Sequence, residues 1–254
     1  MKKTTTLEPE YGNWVSNNII IIPAIFSIIF LLLALFLKPL IFPSAFFLII
    51  FLYFLYSRFL FSPRGKNIQK KIQAQLLETI QWDGKGKALD IGCGSGALTI
   101  MLAKKFPLSH ITGVDNWGTV WEYSKKKSEE NARIEGVSER VVFQKASATS
   151  LPFDDHSFNA VVSNLTFHEV HDCKDKRRLL QEALRIIPKG GFFTFQDLFL
   201  WKAVYGDINE LIDTIKSWGI EKVEFINTSN LPFIPKLLKL PFMVGTIGII
   251  FGKK

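Results

Sequence analysis

Three closely spaced glycines follow a short apolar segment in the stretch Asp90-Ile-Gly-Cys-Gly-Ser-Gly96. Glycines let a backbone approach a ligand closely, and the start of a following helix favours an anionic group. Asp115 closes the next apolar segment, 19 residues after Gly96. A carboxylate at that spacing can accept hydrogen bonds from both hydroxyls of a ribose. The pair predicts a site for a nucleoside cofactor; the alternatives are a plain glycine connector and a helix N-cap at Asp115.

A histidine provides a third chemical candidate within the stretch Asn164-Leu-Thr-Phe-His-Glu-Val-His-Asp172. His168 titrates near neutral pH and could accept a proton from an attacking hydroxyl or amine. The alternative is a histidine that packs on the next helix or lines a pocket without a chemical role. The run is too compact to favour a metal site, so we expect no metal. Neither Cys93 nor Cys173 has the surroundings of a nucleophile.

Apolar periodicity places these residues on alternating strands and helices. This alternation predicts an α/β fold with a mostly parallel sheet, whose carboxyl edge carries the chemical side chains. The predicted helices cover residues 67–81, 97–105, 120–134 and 176–187, and the predicted strands cover residues 87–91, 110–115, 141–144, 160–163, 192–196, 222–226 and 247–251.

Two uncharged apolar runs precede this pattern, Ile19–Leu37 and Pro39–Ser57. A bilayer core about 30 Å thick needs roughly 20 apolar helical residues, so each run is long enough to span once. We therefore expect a two-span transmembrane hairpin over residues 19–61, between an N-terminal segment 1–18 and a domain 62–254. The alternatives are a signal peptide and a buried helical hairpin in a soluble core.

The charge distribution indicates a topology for this hairpin. The 254 residues carry a net charge of +8, and their mean hydropathy is +0.18. Basic residues stay on the cytosolic side of a membrane, so we expect both ends of the hairpin and the following domain in the cytosol of a multi-pass membrane protein. Residues 65–254 retain only +5, which argues against nucleic acid as a partner. The basic cluster after the second run comprises Arg58, Arg64, Lys66, Lys70 and Lys71.

Four motifs occur in a characteristic order along the second part of the chain. They are Leu89-Asp-Ile-Gly-Cys-Gly-Ser-Gly96, Gly113-Val-Asp115, Leu151-Pro-Phe-Asp-Asp-His-Ser-Phe158 and Ile187-Pro-Lys-Gly-Gly191. Together they resemble the motifs of class I S-adenosylmethionine-dependent methyltransferases. They are most similar to the small-molecule and lipid branch that includes the quinone and sterol methyltransferases. The resemblance implies a Rossmann-like seven-stranded sheet with a reversed last strand, and S-adenosylmethionine as cofactor.

The resemblance also implies which residues hold that cofactor. Ser147 and Asn159 stand where the family usually has aspartate, so the expected adenine contact is weaker than in typical members. The implied cofactor residues are Asp90, Gly92, Cys93 and Gly94 at the methionine end, Asp115 at the ribose, Asn116, Trp117, Ser147 and Ala148 near the adenine, and Asn164 after the fourth strand.

These observations predict a membrane-anchored methyltransferase that acts on a hydrophobic or amphipathic small molecule or lipid at the cytosolic face, with the bilayer as partner. The family's amino-directed nucleic-acid enzymes carry Asn/Asp-Pro-Pro-aromatic where this chain has Asn164-Leu-Thr-Phe. Two alternatives stay open: a tethered protein or RNA methyltransferase, and a non-catalytic cofactor-binding membrane protein.

One apolar segment near the C-terminus has two possible interpretations. Leu231–Met243 lies between the last two predicted strands and carries only two charged residues, Lys236 and Lys239. It either dips into the membrane interface and forms the rim of a pocket, or it forms a buried lid or core insertion.

Overall fold

A computed structural model describes residues 8–118 and 123–254. The chain divides into two compact units. One unit is Gly12–Ile72, and the other combines residues 8–11, 73–118 and 123–254.

The first unit is a pair of apolar helices, α1 (Asn17–Leu33) and α2 (Ile41–Phe61). Two serines lock the pair together, because the Ser27 hydroxyl donates to the Ser44 carbonyl at 3.1 Å and the Ser44 hydroxyl donates to the Ser27 carbonyl at 2.9 Å. Hydroxyl-to-backbone bonds of this kind join helices without exposing polar groups to an apolar surrounding. Phe47 stacks on Phe26 near these serines, with ring centroids 5.2 Å apart.

Of the two predicted membrane spans, only the second yields a helix of sufficient length within the described residues. The 24 residues Lys38–Phe61 are long and apolar enough to cross a bilayer, by length and composition alone. Helix α1 has 17 residues and is shorter than a typical span. The first run yields a shorter helix than predicted because residues 34–37 leave the helix and Lys38–Leu40 form a 3-10 turn.

The second unit is built around a seven-stranded sheet in the order β3-β2-β1-β4-β5-β7-β6. Neighbouring strands from β3 to β5 are parallel, whereas β7 runs antiparallel to both β5 and β6. The Rossmann-like sheet with a reversed last strand is therefore confirmed. The strands are β1 (Gly86–Ile91), β2 (Ser109–Asp115), β3 (Val141–Lys145), β4 (Ala160–Asn164), β5 (Phe192–Asp197), β6 (Lys222–Asn227) and β7 (Gly248–Lys253).

Helices cover both faces of this sheet, and each face has its own apolar cluster. Leu89 and Ile91 pack into one cluster while Ala88 packs into the other, which explains the almost continuous apolar sequence of β1. Helices α3, α4 and α5 contribute to the cluster of Ala88, and α6 and α8 contribute to the cluster of Leu89. The helices are α3 (Ile68–Thr79), α4 (Ala97–Lys105), α5 (Lys125–Ile134), α6 (Arg177–Arg185), α7 (Lys202–Tyr205) and α8 (Ile208–Ser217).

Three helices of the second unit differ from the sequence prediction. The short helix α7 and helix α8 were not predicted, although Asp207 caps α8 by accepting from the Asn209 amide at 2.8 Å. The helix predicted for residues 120–134 begins at Lys125, because the Ser124 hydroxyl accepts from the Lys127 amide as an N-cap. Residues 120–122 of that prediction lie outside the described part of the chain.

Candidate cofactor site

The glycine turn joins the carboxyl end of β1 to the start of α4. Gly92, Gly94 and Gly96 all have positive φ, at 75°, 55° and 83°. A Cβ on Gly92 would lie 2.0 Å from the Thr166 hydroxyl oxygen, and one on Gly96 would lie 2.7 Å from the Phe143 ring. At Gly92 and Gly96, a side chain larger than hydrogen is therefore disfavoured both by the positive φ and by the neighbouring side chain.

Asp115 lies at the carboxyl end of β2 and contacts this turn directly. Its Oδ2 accepts from the Gly94 amide at 2.9 Å, and its Oδ1 accepts from the Trp117 amide at 2.7 Å. The Trp117 indole in turn donates to the Gly94 carbonyl at 2.8 Å. A carboxylate can accept about four hydrogen bonds, so both oxygens retain capacity for the two ribose hydroxyls. The carboxylate caps a turn at Trp117 and does not cap α5.

Asp90 is buried beneath the turn, on β1. Its carboxylate accepts from the Thr99 hydroxyl at 2.6 Å, which ties β1 to α4. Burial, reinforced by the nearby charge of Asp115, raises the pKa of Asp90 to about 7. Burial also raises the pKa of the Cys93 thiol well above its usual value, which disfavours a nucleophilic thiolate there. A contact of Asp90 and Cys93 with the methionine end stays a prediction.

The segment after β3 reaches the same edge of the sheet. The Ala146 amide donates to the Asp115 carbonyl at 3.0 Å, which holds the start of this segment against the end of β2. Ser147 and Ala148 are the next two residues. The Ser147 hydroxyl pairs with the Thr149 hydroxyl at 2.8 Å, and Ala148 packs partly against the core. Asn116 is exposed. The adenine contacts implied for these residues stay predictions, although the fold brings them to one place.

Asn159 lies away from the glycine turn, so its departure from the family pattern does not bear on the adenine contact. Asn159 precedes β4, and its Oδ1 accepts from the Lys87 amide at 2.9 Å. Gly86 lies so close that a Cβ there would approach the same Oδ1 within 2.2 Å. Asn159 therefore joins the starts of β1 and β4, at the opposite edge of the sheet from the glycine turn.

His168 follows β4 and is held between two carboxylates. Its Nδ1 lies 2.6 Å from Oδ1 of the buried Asp197, and its Nε2 lies 3.4 Å from Oε1 of Glu169. Burial favours the neutral ring, but the charge of Asp197 outweighs it and raises the pKa of His168 to about 10. Asp197 keeps a lowered pKa despite its burial because of this pairing. The ring is therefore cationic at neutral pH, which favours a positioning role over the proton acceptor considered from the sequence.

A half-buried carboxamide, Asn164, and a buried one, Gln196, lie at the carboxyl ends of β4 and β5. Asn164 and Gln196 are register partners in the sheet, so their side chains share one face. The Asn164 Oδ1 and the Gln196 Oε1 are buried and have no hydrogen-bond partner within the described ranges. Buried polar atoms without partners are rare, and a bound water, ion or ligand is one explanation for them. Asn164 was predicted from the sequence, whereas Gln196 was not, since a single glutamine in an apolar strand carries little signal.

Glu10 and Tyr11, before α1, form a strap on the glycine turn. This strap was not predicted from the sequence. Asn131 on α5 exchanges two hydrogen bonds with the Glu10 backbone, both at 2.9 Å, and donates to the Ser95 carbonyl at 3.0 Å. The Ser95 hydroxyl donates to the Tyr11 carbonyl at 2.7 Å. Tyr11 continues to Glu135, whose carboxylate accepts from its hydroxyl at 2.9 Å. Such contacts between distant positions leave no pattern in the sequence.

Residues 89–195 match the family model described as a methyltransferase domain. The 27-O-demethylrifamycin SV methyltransferase of Amycolatopsis mediterranei is 30% identical over 45% of this chain and 39% of its own length. The demethylmenaquinone methyltransferase of Thermotoga maritima is 27% identical over 52% of each chain. The chain thus spans about half, or less, of the length of these relatives.

A solved structure supports the fold independently. Geranyl diphosphate C-methyltransferase from Streptomyces coelicolor, crystallised with S-adenosyl-L-homocysteine, aligns with a TM-score of 0.52 at 14% identity. The alignment covers 74% of this chain and 80% of that chain. The glycine cradle and the Asp115 carboxylate also suit the methionine and ribose parts of the cofactor. Residues 89–195 therefore match a methyltransferase domain in sequence and share the fold of a methyltransferase solved with S-adenosyl-L-homocysteine, and S-adenosylmethionine is the cofactor of this site.

Proposed function

We propose that this protein is a membrane-anchored methyltransferase that methylates a hydrophobic or amphipathic small molecule or lipid at the cytosolic face of the membrane. One observation carries the proposal: a methyltransferase domain and a pair of helices with exposed apolar side chains occur in the same chain. Apolar surfaces of that extent do not persist in water.

The helix pair supports the anchoring part of the proposal. In α2, Phe42 and Ile49 are 76% and 67% exposed, and in the connection between the helices Leu35 and Phe36 are 78% and 86% exposed. Residues 8–11 and 73–118 belong to one compact unit, so the chain enters and leaves the pair on one side of any bilayer. The basic cluster after α2 favours the cytosol for that side.

The acceptor class follows from the site and the relatives. Two relatives are named for demethylmenaquinone and 27-O-demethylrifamycin SV, which are small organic molecules and not proteins or nucleic acids. At the carboxyl edge of the sheet, the unpaired oxygens of Asn164 and Gln196 suit an acceptor that presents hydroxyl or amine donors.

Methyl transfer makes modest demands on the protein. S-Adenosylmethionine supplies an activated methyl group, so the chain mainly aligns the acceptor and excludes water. Asp115 and the glycine turn hold the cofactor. Asn164, expected from the sequence to contact the cofactor, is proposed here to orient the acceptor hydroxyl or amine together with Gln196. The ion pair of His168 with Asp197 fixes the loop after β4 beside them.

The proposal is tested by supplying the full chain in lipid nanodiscs with methyl-labelled S-adenosylmethionine and fractions of host membranes. We expect label in an organic-soluble product, identified by mass spectrometry, and less label from an Asp115→Asn variant when the cofactor is supplied below saturation. Label in protein or RNA fractions alone would favour the tethered macromolecular enzyme. No transfer to any fraction, with intact S-adenosylhomocysteine binding, would favour a non-catalytic protein.

A further inference from the structure

The segment Leu231–Met243, here called the rim segment, exposes a compact apolar surface. Its side chains Leu237, Leu240 and Phe242 are 41%, 39% and 49% exposed. Outside the helix pair, the described residues expose only three other large apolar side chains, and these are scattered: Leu108, Val142 and Ile226. Scattered apolar residues need no explanation, whereas a cluster of three within six positions does.

The rim segment is held in a defined shape. Ile234 and Leu238 are buried and anchor it to the sheet unit. The Val244 amide donates to the Leu238 carbonyl at 3.1 Å, and the Gly245 amide donates to the Leu240 carbonyl at 3.0 Å. The exposed side chains therefore project from a preformed turn, and their exposure is a property of the fold. The sequence left open whether the segment is a core insertion or lies at a membrane interface. In the structure, one side of it packs into the core and the other side is exposed.

Its position is at the cofactor edge of the sheet. The segment lies between Asn227, the last residue of β6, and Gly248, the first residue of β7. Gly248 is the register partner of Asp197, the last residue of β5. The carboxyl ends of the parallel strands, including the end of β1 that leads into the glycine turn, lie at that same edge.

The charge of the rim segment favours an anionic partner for its exposed apolar surface. No acidic residue occurs from Phe225 to Lys254, while Lys236 and Lys239 flank the exposed apolar side chains. The Lys239 ammonium group donates to the Asn230 side-chain oxygen at 3.1 Å, a neutral partner that leaves its charge uncompensated there. Apolar side chains between lysines match a membrane interface with anionic headgroups.

We propose that the rim segment inserts Leu237, Leu240 and Phe242 into the interface of an anionic bilayer, so that the cofactor edge of the sheet faces the lipid surface. This inference deepens the proposed function, on which it rests, because it gives a lipid-like acceptor a direct route from the membrane to the site. The helix pair tethers the chain and raises the effective concentration of the rim segment at the membrane.

The test uses the full chain with Cys173→Ser, since Cys93 is buried and does not label. A fluorophore is attached at Phe242→Cys and, as matched control, at Leu108→Cys, an exposed apolar position before β2 at the opposite edge. The chain is reconstituted with vesicles of phosphatidylcholine and phosphatidylglycerol that carry a lipid spin label near the headgroups. We expect strong quenching at position 242 and about background quenching at position 108. Lys236→Glu with Lys239→Glu should reduce the quenching about twofold or more, by loss of attraction to anionic lipid.

The outcomes separate this inference from the proposed anchoring. Chain that floats with vesicles but shows no quenching at position 242 overturns the inference and leaves the anchoring intact. Chain that does not float, but is quenched at position 242 by added vesicles, overturns the anchoring and supports the inference. A spectral change at position 242 caused by S-adenosylhomocysteine or by protein concentration, without dependence on vesicles, identifies a lid or a contact between copies and also overturns it.

Discussion

Asp115 is the residue on which cofactor affinity depends most directly. Both of its oxygens accept backbone amides, from Gly94 and Trp117, and thereby fix the glycine turn and the ribose acceptor together. Asp115→Asn replaces one acceptor oxygen with a donor that faces an amide. Charged hydrogen bonds are each worth about 1.5–3 kcal/mol, so we expect the Kd for S-adenosylhomocysteine to rise at least about tenfold. Isothermal titration measures this, with the exposed Asp83→Asn as control; an unchanged Kd would refute the role of Asp115.

The ion pair of His168 with Asp197 predicts how the stability of the fold depends on pH. Its folded pKa of about 10 lies above its ordinary value of 6.5, so its pairing with Asp197 stabilises the fold fully below about pH 6.5 and is lost as pH rises through 10. His168→Asn removes the cation from a buried pair, which costs about 3 kcal/mol at neutral pH. We expect a lower Tm at pH 7 and a flatter dependence of Tm on pH between 7 and 10 than in the parent protein. Parallel Tm curves across that window would contradict the ion pair.

At the scale of elements, the sequence indicated the sheet well because its central strands are mostly apolar and the turn after β1 is rich in glycine. The reversed last strand and the glycine turn were predicted in place. Helix α8 was missed although Ile208, Leu211 and Ile215 have helical spacing, because six of its ten residues are polar or charged. The strap at Glu10 and Tyr11 could not be predicted, since its partners on α5 lie more than 100 residues away.

Through the strap, helix α5 is joined to both the N-terminal segment and the glycine turn. Asn131→Ala removes three hydrogen bonds that join the Glu10 backbone, α5 and the Ser95 carbonyl, and leaves these backbone groups without their partner. We expect weaker binding of S-adenosylhomocysteine, by about tenfold, because the glycine turn loses a support. Asn209→Ala, an exposed asparagine in α8, is the matched control for helix propensity. Equal affinity in the two variants would show that the strap is only a structural attachment.

At the scale of the whole molecule, the apolar composition of the first part of the chain predicted its division into two units. It overestimated the length of the first apolar helix. The run Ile19–Leu37 is uncharged throughout, yet helix α1 ends at Leu33 because a chain reversal before α2 uses four of its residues. Length counted on a sequence includes the turn, whereas length along a helix does not. The exposed apolar side chains of both helices, by contrast, follow directly from the absence of a polar face in either run.

Membrane attachment through α2 can be tested with one charge. Ile49 lies near the middle of α2 and is 67% exposed, so an arginine there meets whatever surrounds the helix. In a bilayer, arginine at a helix centre costs about 2.5–3.5 kcal/mol, whereas in water it is tolerated. We expect Ile49→Arg to shift the protein from the carbonate-resistant membrane fraction toward the supernatant or toward degradation. Ile226→Arg, an exposed isoleucine on β6, should leave the fractionation unchanged. Retention of both variants in the membrane, or recovery of the parent chain in the supernatant, would contradict anchoring by α2.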